Sequence, residues 1–298
     1  MKISINASCL YRKIGLKKAI DVFAEAGFDA LDISFDCEDF KGDDYIENAK
    51  KYKEYIAEKG MYFNQAHAYF PTSDPDEEKC KYAFERVVKD MEIASVLGVK
   101  YIVVHPNCHL DYFSYNAAQK TKEMNYKFYK ALLPYAEKFD INICLENLFE
   151  WKMAKYPILG RCSDNACSRP EQFIEFIDML QSDRVFACVD VGHAVAVSQD
   201  PATVIRTLGK RVKLLHIHDN DGRVDNHAIP FSPSNNSINW DSVCKALAEI
   251  GYEGEFNFET DGAYAACTTP EIALPLAKYN YEIGKVLVAK IEKYKAEL

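Results

Sequence analysis

Histidine and acidic side chains recur at the carboxyl ends of apolar segments in this 298-residue chain. YIVVH ends at His105, ICLE ends at Glu146 and VFACVD ends at Asp190. Imidazole nitrogens and carboxylate oxygens together suit Zn²⁺, Mn²⁺, Fe²⁺ or Co²⁺. Because several carboxylates that converge without a cation would repel one another, the pattern predicts a divalent metal site.

The candidate residues fall on six successive segments of the chain. Those expected to hold one metal ion come from the last four segments: Glu146, Asp190, His218 and Glu259. Those that would serve additional metal ions stand near them: His67, His105, His193, His216, Asp225 and His227. Asp225 and His227 also fit a simple turn on a loop. His109 has no matching partner, so we expect it to cap a helix or pack.

Eight apolar segments of strand length must position these side chains. They are predicted at 2–6, 30–34, 62–66, 101–105, 141–146, 185–190, 213–218 and 255–259. Their continuous apolar runs are typical of strands covered on both faces, as in parallel sheets. Segments with helical spacing alternate with them, and several of these end at a glycine such as Gly27 or Gly98. Eight such units predict one TIM-barrel domain over residues 1–298, an α/β fold of the (β/α)₈ type.

Two of the connections that follow predicted strands are long, at 147–168 after the fifth strand and at 219–239 after the seventh. Loops of this length are uncommon unless they are functional or disordered. Both are expected at the end of the barrel where active sites lie. No GxGxxG motif follows the first strand, so a dinucleotide-binding fold has no support.

Charge and cysteine usage narrow the class of protein. Lys and Arg number 36 and Asp and Glu 45, and the net charge of −9 argues against a nucleic-acid partner. The ten cysteines form no CxxC pair, and no apolar leader or membrane-length apolar run is evident. We therefore expect a cytoplasmic protein with reduced thiols that does not enter a membrane.

At these residues the chain resembles the xylose-isomerase-like barrels. This family contains sugar isomerases and epimerases, inosose-type dehydratases and isomerases, and endonuclease IV. The motifs that carry the resemblance are HPN, LEN, D-x-x-H, HIHDNDG-x-x-D-x-H and FET. Similarity to the single-metal sugar epimerases implies the four metal ligands named above. Endonuclease IV holds three zinc ions with nine ligands, and each of those positions has a plausible match here.

The resemblance implies a divalent-metal-dependent isomerase or epimerase of a small sugar, sugar derivative or cyclitol. Glu146 and Glu259 would move the proton through a metal-stabilised enediolate. The residues expected to bind substrate are His193, His67, His105 and Arg223. The cofactor would be one Mn, Zn or Co ion, with up to three allowed, and a homodimer is expected by analogy with related barrels.

Three alternatives stay open. A metal-dependent lyase or dehydratase acting on a keto-sugar or keto-cyclitol would use the same proton abstraction. A DNA-repair nuclease of the endonuclease IV type would use metal ions to activate water against phosphate. A non-catalytic sugar-binding protein is disfavoured because both Glu146 and Glu259 are present.

Overall fold

Eight parallel strands and the helices between them make up the computed structural model. It describes residues 1–72, 74, 76–106, 117–148, 167–221, 225–232 and 238–298. The strands are β1 Ile3–Asn6, β2 Ala30–Ser34, β3 Tyr62–His67, β4 Tyr101–Val103, β5 Asn142–Glu146, β6 Val185–Asp190, β7 Val212–His216 and β8 Phe256–Phe258. The helices in the described part are α1 Ser8–Ile14, α2 Leu16–Ala26, α3 Tyr45–Glu58, α4 Glu77–Leu97, α5 Ala117–Phe139, α6 Pro170–Leu180, α7 Val191–Ala196, α8 Pro201–Leu208, α9 Trp240–Glu249, α10 Asp261–Tyr264 and α11 Pro270–Glu297. Short 3₁₀ helices occupy Glu38–Phe40 and Gly209–Arg211.

The strands pair in the order β7-β6-β5-β4-β3-β2-β1-β8, with every pair parallel. Backbone hydrogen bonds just beyond β7 complete the ring. The Ile217 N–H donates to the Asn257 carbonyl at 2.9 Å, and the Glu259 N–H donates to the Ile217 carbonyl at 3.0 Å. The predicted TIM barrel is therefore confirmed.

The strands β4 and β7 each end two residues earlier than the apolar pattern predicts, at Val103 and His216. Beyond β7 the chain turns into a local antiparallel bridge, in which Asp219 and Ala228 exchange backbone hydrogen bonds. His105 and His218 consequently lie on connections that leave the barrel. The adjoining loops predicted at 147–168 and 219–239 fall partly outside the described residues.

The barrel interior changes from apolar to charged along the strand direction. Val103, Cys144, Cys188 and Leu214 form a buried apolar cluster between strands β4 and β7. Side chains two residues apart on a strand point to the same face. Consequently, the residues that follow in this interior are histidines and carboxylates: His105, Glu146, Asp190 and His216.

The helices cover the outside of the barrel and end where the glycine pattern predicts. Gly27 and Gly98 adopt left-handed conformations, with φ of 105° and 89°, after α2 and α4. A side chain would strain both positions. In the described part of the chain, no helix is long and apolar enough to cross a membrane. The eight cysteines in that part are free thiols.

Candidate metal centre

Three carboxylates and one histidine converge at the carboxyl ends of β5 to β8. We call Glu146, Asp190, His216 and Glu259 the central site; their ligand atoms all lie within 4.8 Å of one another. His216 Nδ1 lies 3.2 Å from Glu146 Oε2 and 3.1 Å from Glu259 Oε2. All four residues are buried. Four adjacent strands thus deliver nitrogen and oxygen donors to one point.

The histidine of the central site is His216, whereas the sequence prediction placed His218 there. His218 is two positions further along the chain, beyond the end of β7. Its Nε2 lies 2.9 Å and 3.0 Å from the two Asp190 oxygens, and it clusters with His193, Asp225 and His227 rather than with the two glutamates.

A second cluster, the rim site, contains His193, His218, Asp225 and His227. Asp225 Oδ2 lies 3.3 Å from His193 Nε2 and 2.8 Å from His227 Nε2. The Asp190 carboxylate links the rim site to the central site through His218. Asp225 and His227, for which a simple turn was an alternative, therefore contact the site histidines.

A third cluster, the side site, contains His67, His105 and Glu146. His105 Nε2 lies 3.0 Å from Glu146 Oε2, and His67 Nε2 lies 3.3 Å from Glu259 Oε1. Glu146 is common to the side site and the central site. All the predicted metal ligands therefore lie in one connected network. Arg223 and His109 fall outside the described residues.

The network holds strong local charge. Burial would raise the pKa of Glu146 and Glu259, but the surrounding histidines together outweigh it and hold both pKa values well below their usual range. They are His216, His105 and His193 around Glu146, and His216 and His67 around Glu259. Burial would lower the pKa of His193, but Asp190 and Asp225 raise it well above the ordinary value. Without a cation, these histidines therefore carry protons that neutralise the carboxylates.

Unsatisfied polar atoms test whether a divalent cation fits the central site. Glu146 Oε2 and His216 Nδ1 are buried, yet neither makes a hydrogen bond of acceptable geometry to the described residues. Leaving such atoms without partners is costly. Three carboxylates and an imidazole are also a donor set that Zn²⁺, Mn²⁺ and Co²⁺ accept. The residues present therefore fit a divalent metal ion.

Asp32, which the sequence patterns did not single out, holds His67 in place. It is fully buried, and its Oδ1 lies 3.0 Å from His67 Nδ1. Its Oδ2 accepts hydrogen bonds from Asn6 and Gln65 at 3.0 Å and 3.1 Å. The contact between Asp32 Oδ1 and His67 Nδ1 leaves His67 Nε2 directed towards Glu259. The sequence carries one sign of this role, because Asp32 is an acidic residue between Leu31 and Ile33 inside an apolar strand segment.

Replacing Asp32 by Asn is expected to weaken the binding of a cation that uses His67 about 10–100-fold, because partners of a ligating histidine fix its orientation. The measurement is a competition titration against a chromophoric chelator. Asp140→Asn, on an exposed carboxylate that pairs with Arg184, is the matched control. Equal metal affinity of Asp32→Asn and the wild-type protein would contradict this positioning role.

Gly192, inside the motif DVGH, leaves room for the His218 ring. A Cβ atom at this position would lie 2.0 Å from His218 Cε1 and 2.6 Å from its Nδ1. Since no real contact is that short, the ring or the helix would have to move. The glycine in this motif therefore makes room for His218, which follows the neighbouring strand β7.

Gly192→Ala is expected to destabilise the protein by about 1–3 kcal/mol, as overpacking does. Denaturant unfolding measures the free energy. The double variant Gly192→Ala with His218→Ala should recover part of that loss because the clashing ring is gone. Strictly additive effects of the two substitutions would argue against the clash.

A cavity of about 460 Å³ opens beside these clusters. It is lined by His67, His105 and Glu259 of the site. Arg86 and Asp90 from helix α4 line it as well. Its volume is in the range of pockets that bind small molecules.

Comparison with known proteins agrees with this architecture. The profile of the xylose isomerase-like TIM-barrel family matches residues 20–278. The D-psicose 3-epimerase of Enterocloster bolteae is 25% identical over 250 residues, which cover 80% of this chain and 74% of that protein.

Two solved structures share the fold over nearly their whole length. A D-tagatose 3-epimerase-like protein has a TM-score of 0.76 at 24% identity, and the match covers 98% of this chain and 99% of that one. The IolI protein, whose crystal structure holds a zinc atom, has a TM-score of 0.74 at 20% identity, with 99% of each chain covered. The chain therefore belongs to the xylose isomerase-like TIM-barrel family.

Proposed function

We propose that this protein is a divalent-metal-dependent isomerase or epimerase of a small sugar, sugar derivative or cyclitol. The observation that carries the proposal is the approach of Glu146 and Glu259 to the same atom, His216 Nδ1, within a buried metal-fitting site beside a cavity. The similarity to a D-psicose 3-epimerase supports the same class of reaction.

Glu146 and Glu259 would act as the acid–base pair. The pKa of each is held well below its usual range, so in the free protein either glutamate is ionised and able to accept a proton. One glutamate, as the carboxylate, would remove the proton next to the substrate carbonyl. The other would have to be protonated when substrate is bound, so that its carboxylic acid form could return a proton. Return to the opposite face of that carbon gives an epimer, and return to the neighbouring carbon gives an isomer.

The central site would hold the cation through Glu146, Asp190, His216 and Glu259. A bound divalent ion polarises a carbonyl oxygen as a Lewis acid, which eases loss of the adjacent proton. The rim and side sites would accommodate further cations, for a total of up to three. Zinc is supported by the zinc atom in the structurally similar IolI protein, and the donor set also accepts manganese or cobalt.

His193 would position substrate hydroxyls because it stands at the edge of the central site. Its Nδ1 lies 2.9 Å from Glu146 Oε1 and 2.9 Å from the Asn147 carbonyl oxygen. Asn147 in turn exchanges two hydrogen bonds of 2.8 Å with the Asp190 backbone. These contacts fix the ring orientation, which favours precise positioning of a ligand.

Turnover of a substrate panel tests the proposal. The protein, supplemented with Mn²⁺, Co²⁺ or Zn²⁺, is incubated with ketoses, aldoses and keto-cyclitols. The products are separated by chromatography, and mass spectrometry measures their masses. A product of unchanged mass indicates isomerisation or epimerisation. Loss of water or cleavage would assign the lyase alternative instead, and conversion of none of the compounds would overturn the proposal.

The three adjacent clusters also favour a second candidate, a phosphodiester hydrolase. Glu146 is shared between two of them, an arrangement that suits several neighbouring metal ions. The net charge of −9 weighs against a DNA substrate. Incubation with a duplex that contains an abasic site decides the matter, since nicking at low enzyme concentration would favour the nuclease.

A further inference from the structure

The cavity beside the metal centre is also lined by a loose, buried ion pair. Asp90 of helix α4 is only 1% exposed. Arg86 lies one helical turn earlier, and its terminal nitrogen is 3.4 Å from Asp90 Oδ1. Charge-assisted pairs with good geometry are usually about 2.7–2.9 Å apart. The contact is therefore too long to satisfy either partner fully.

Arg86 keeps hydrogen-bonding capacity, although its Nη2 also donates to the Phe35 carbonyl oxygen at 3.3 Å. Arg86 Nε is buried and has no hydrogen-bond partner among the described residues. Burial raises the pKa of Asp90 to about 7, despite the opposing effects of Arg86 and the Tyr69 N–H. A buried donor without a partner costs free energy, so a ligand group that supplies the missing partner binds favourably there.

The pair is fixed relative to the metal centre. Asp90 Oδ2 accepts a hydrogen bond of 2.8 Å from the Tyr69 backbone N–H, two residues beyond His67 at the end of β3. His67 and the pair line the same cavity. A ligand whose reacting part lies at the metal centre would therefore extend its other end towards helix α4.

Most charged groups that line the cavity already have a partner. Arg12 is held by Asp36 at 2.7 Å, and His67 Nε2 lies 3.3 Å from Glu259 Oε1. The looser Arg86–Asp90 pair can take up a hydroxyl group, which accepts from Arg86 and donates to Asp90.

On the basis of the proposed function, we propose that Arg86 and Asp90 form a subsite for hydroxyl groups at the substrate end remote from the reacting carbon. The subsite selects a hydroxyl-bearing end over a deoxy end. Neither residue belongs to the metal clusters or to the acid–base pair. Their contribution is to specificity.

Binding of unreactive polyols tests the subsite without requiring turnover. A hexitol and its terminally deoxygenated analogue are titrated calorimetrically into the Mn²⁺-supplemented protein. The wild-type protein is expected to bind the hexitol about 10–100-fold more tightly than the deoxy analogue, since a hydrogen bond to a charged group is lost.

Two variants and one control test whether the preference for the hexitol depends on Arg86 and Asp90. Asp90→Asn and Arg86→Met should bind the hexitol and its deoxy analogue equally, within about twofold. Arg211→Met removes an exposed arginine that pairs with Asp178 on the outer surface, and should keep the wild-type preference. Thermal melts check that Asp90→Asn and Arg86→Met are folded. If only one of them folds, its binding of the two compounds is enough to test the subsite.

The results separate the subsite from the proposed function. A wild-type protein without preference for the hexitol, or variants that keep the preference, would overturn the subsite even if sugars are converted. Loss of the preference in the folded variants supports the subsite, even if the reaction proves to be elimination. Failure of the proposed function appears only in the turnover panel.

Discussion

Replacing Glu146 or Glu259 by Gln is expected to lower kcat about 10²–10⁴-fold, the contribution typical of general acid–base catalysis. Glutamine has nearly the same shape but cannot accept a proton from carbon. The barrel should remain folded, because the amide can still occupy the buried position near His216. Steady-state kinetics on the substrate identified in the panel measures the loss, and circular dichroism checks the fold.

The matched control is Glu249→Gln, on helix α9. Glu249 pairs with Arg206 on the outer surface and lies outside the central site. Its substitution should leave kcat unchanged. A fully active Glu259→Gln protein would contradict the role of the glutamate pair.

Removing the metal is expected to abolish turnover and to destabilise the fold. Without a cation, the buried carboxylates depend on histidine protons for neutralisation, as their shifted pKa values indicate. Free cation at about 100 times its Kd stabilises a protein by about 2.7 kcal/mol. Chelator treatment should therefore lower Tm by several degrees.

Elemental analysis of the purified protein should find at least one divalent ion for each chain. Adding Mn²⁺, Co²⁺ or Zn²⁺ to the chelated protein should restore both Tm and turnover. Absence of metal from the purified protein, together with no gain on adding these ions, would refute metal dependence.

Metal affinity should also rise with pH. Burial would lower the pKa of His67, but Asp32 raises it to about 10; the hydrogen bond to Asp225 similarly raises the pKa of His227 to about 10. At neutral pH both rings are protonated when no cation is present, so a cation that uses them must displace protons. Affinity for ions beyond the first should increase up to about tenfold per pH unit for each displaced proton, as titrations from about pH 6 to about pH 9 would show. An affinity independent of pH would mean that these histidines do not bind metal.

The sequence predicted the barrel because its apolar runs mark the strands directly. It also predicted that the histidines and carboxylates at the ends of these segments lie close together, since parallel strands place their carboxyl ends at one edge. It named His218 beside the three carboxylates, where the structure places His216. The two residues share the two-residue period of a strand, and the apolar pattern did not show that β7 ends at His216.

Other residues of the site carry no local signal. Arg86 and Asp90 look like an ordinary helical ion pair at i and i+4, and only the packing of α4 against the end of β3 brings them to the cavity. The role of Gly192 likewise depends on a ring that arrives from β7. Tertiary contacts of this kind follow from the folded barrel rather than from residue spacing.

Solvent deuterium exchange tests the central claim most directly. The metal-supplemented protein is incubated in D₂O with the sugar or cyclitol that it converts, and ¹H NMR locates any deuterium in substrate and product. Proton transfer by the glutamate pair predicts deuterium at the carbon next to the carbonyl, and its disappearance in Glu146→Gln and Glu259→Gln. Conversion without deuterium at that carbon, or exchange that persists in both variants, would contradict the account.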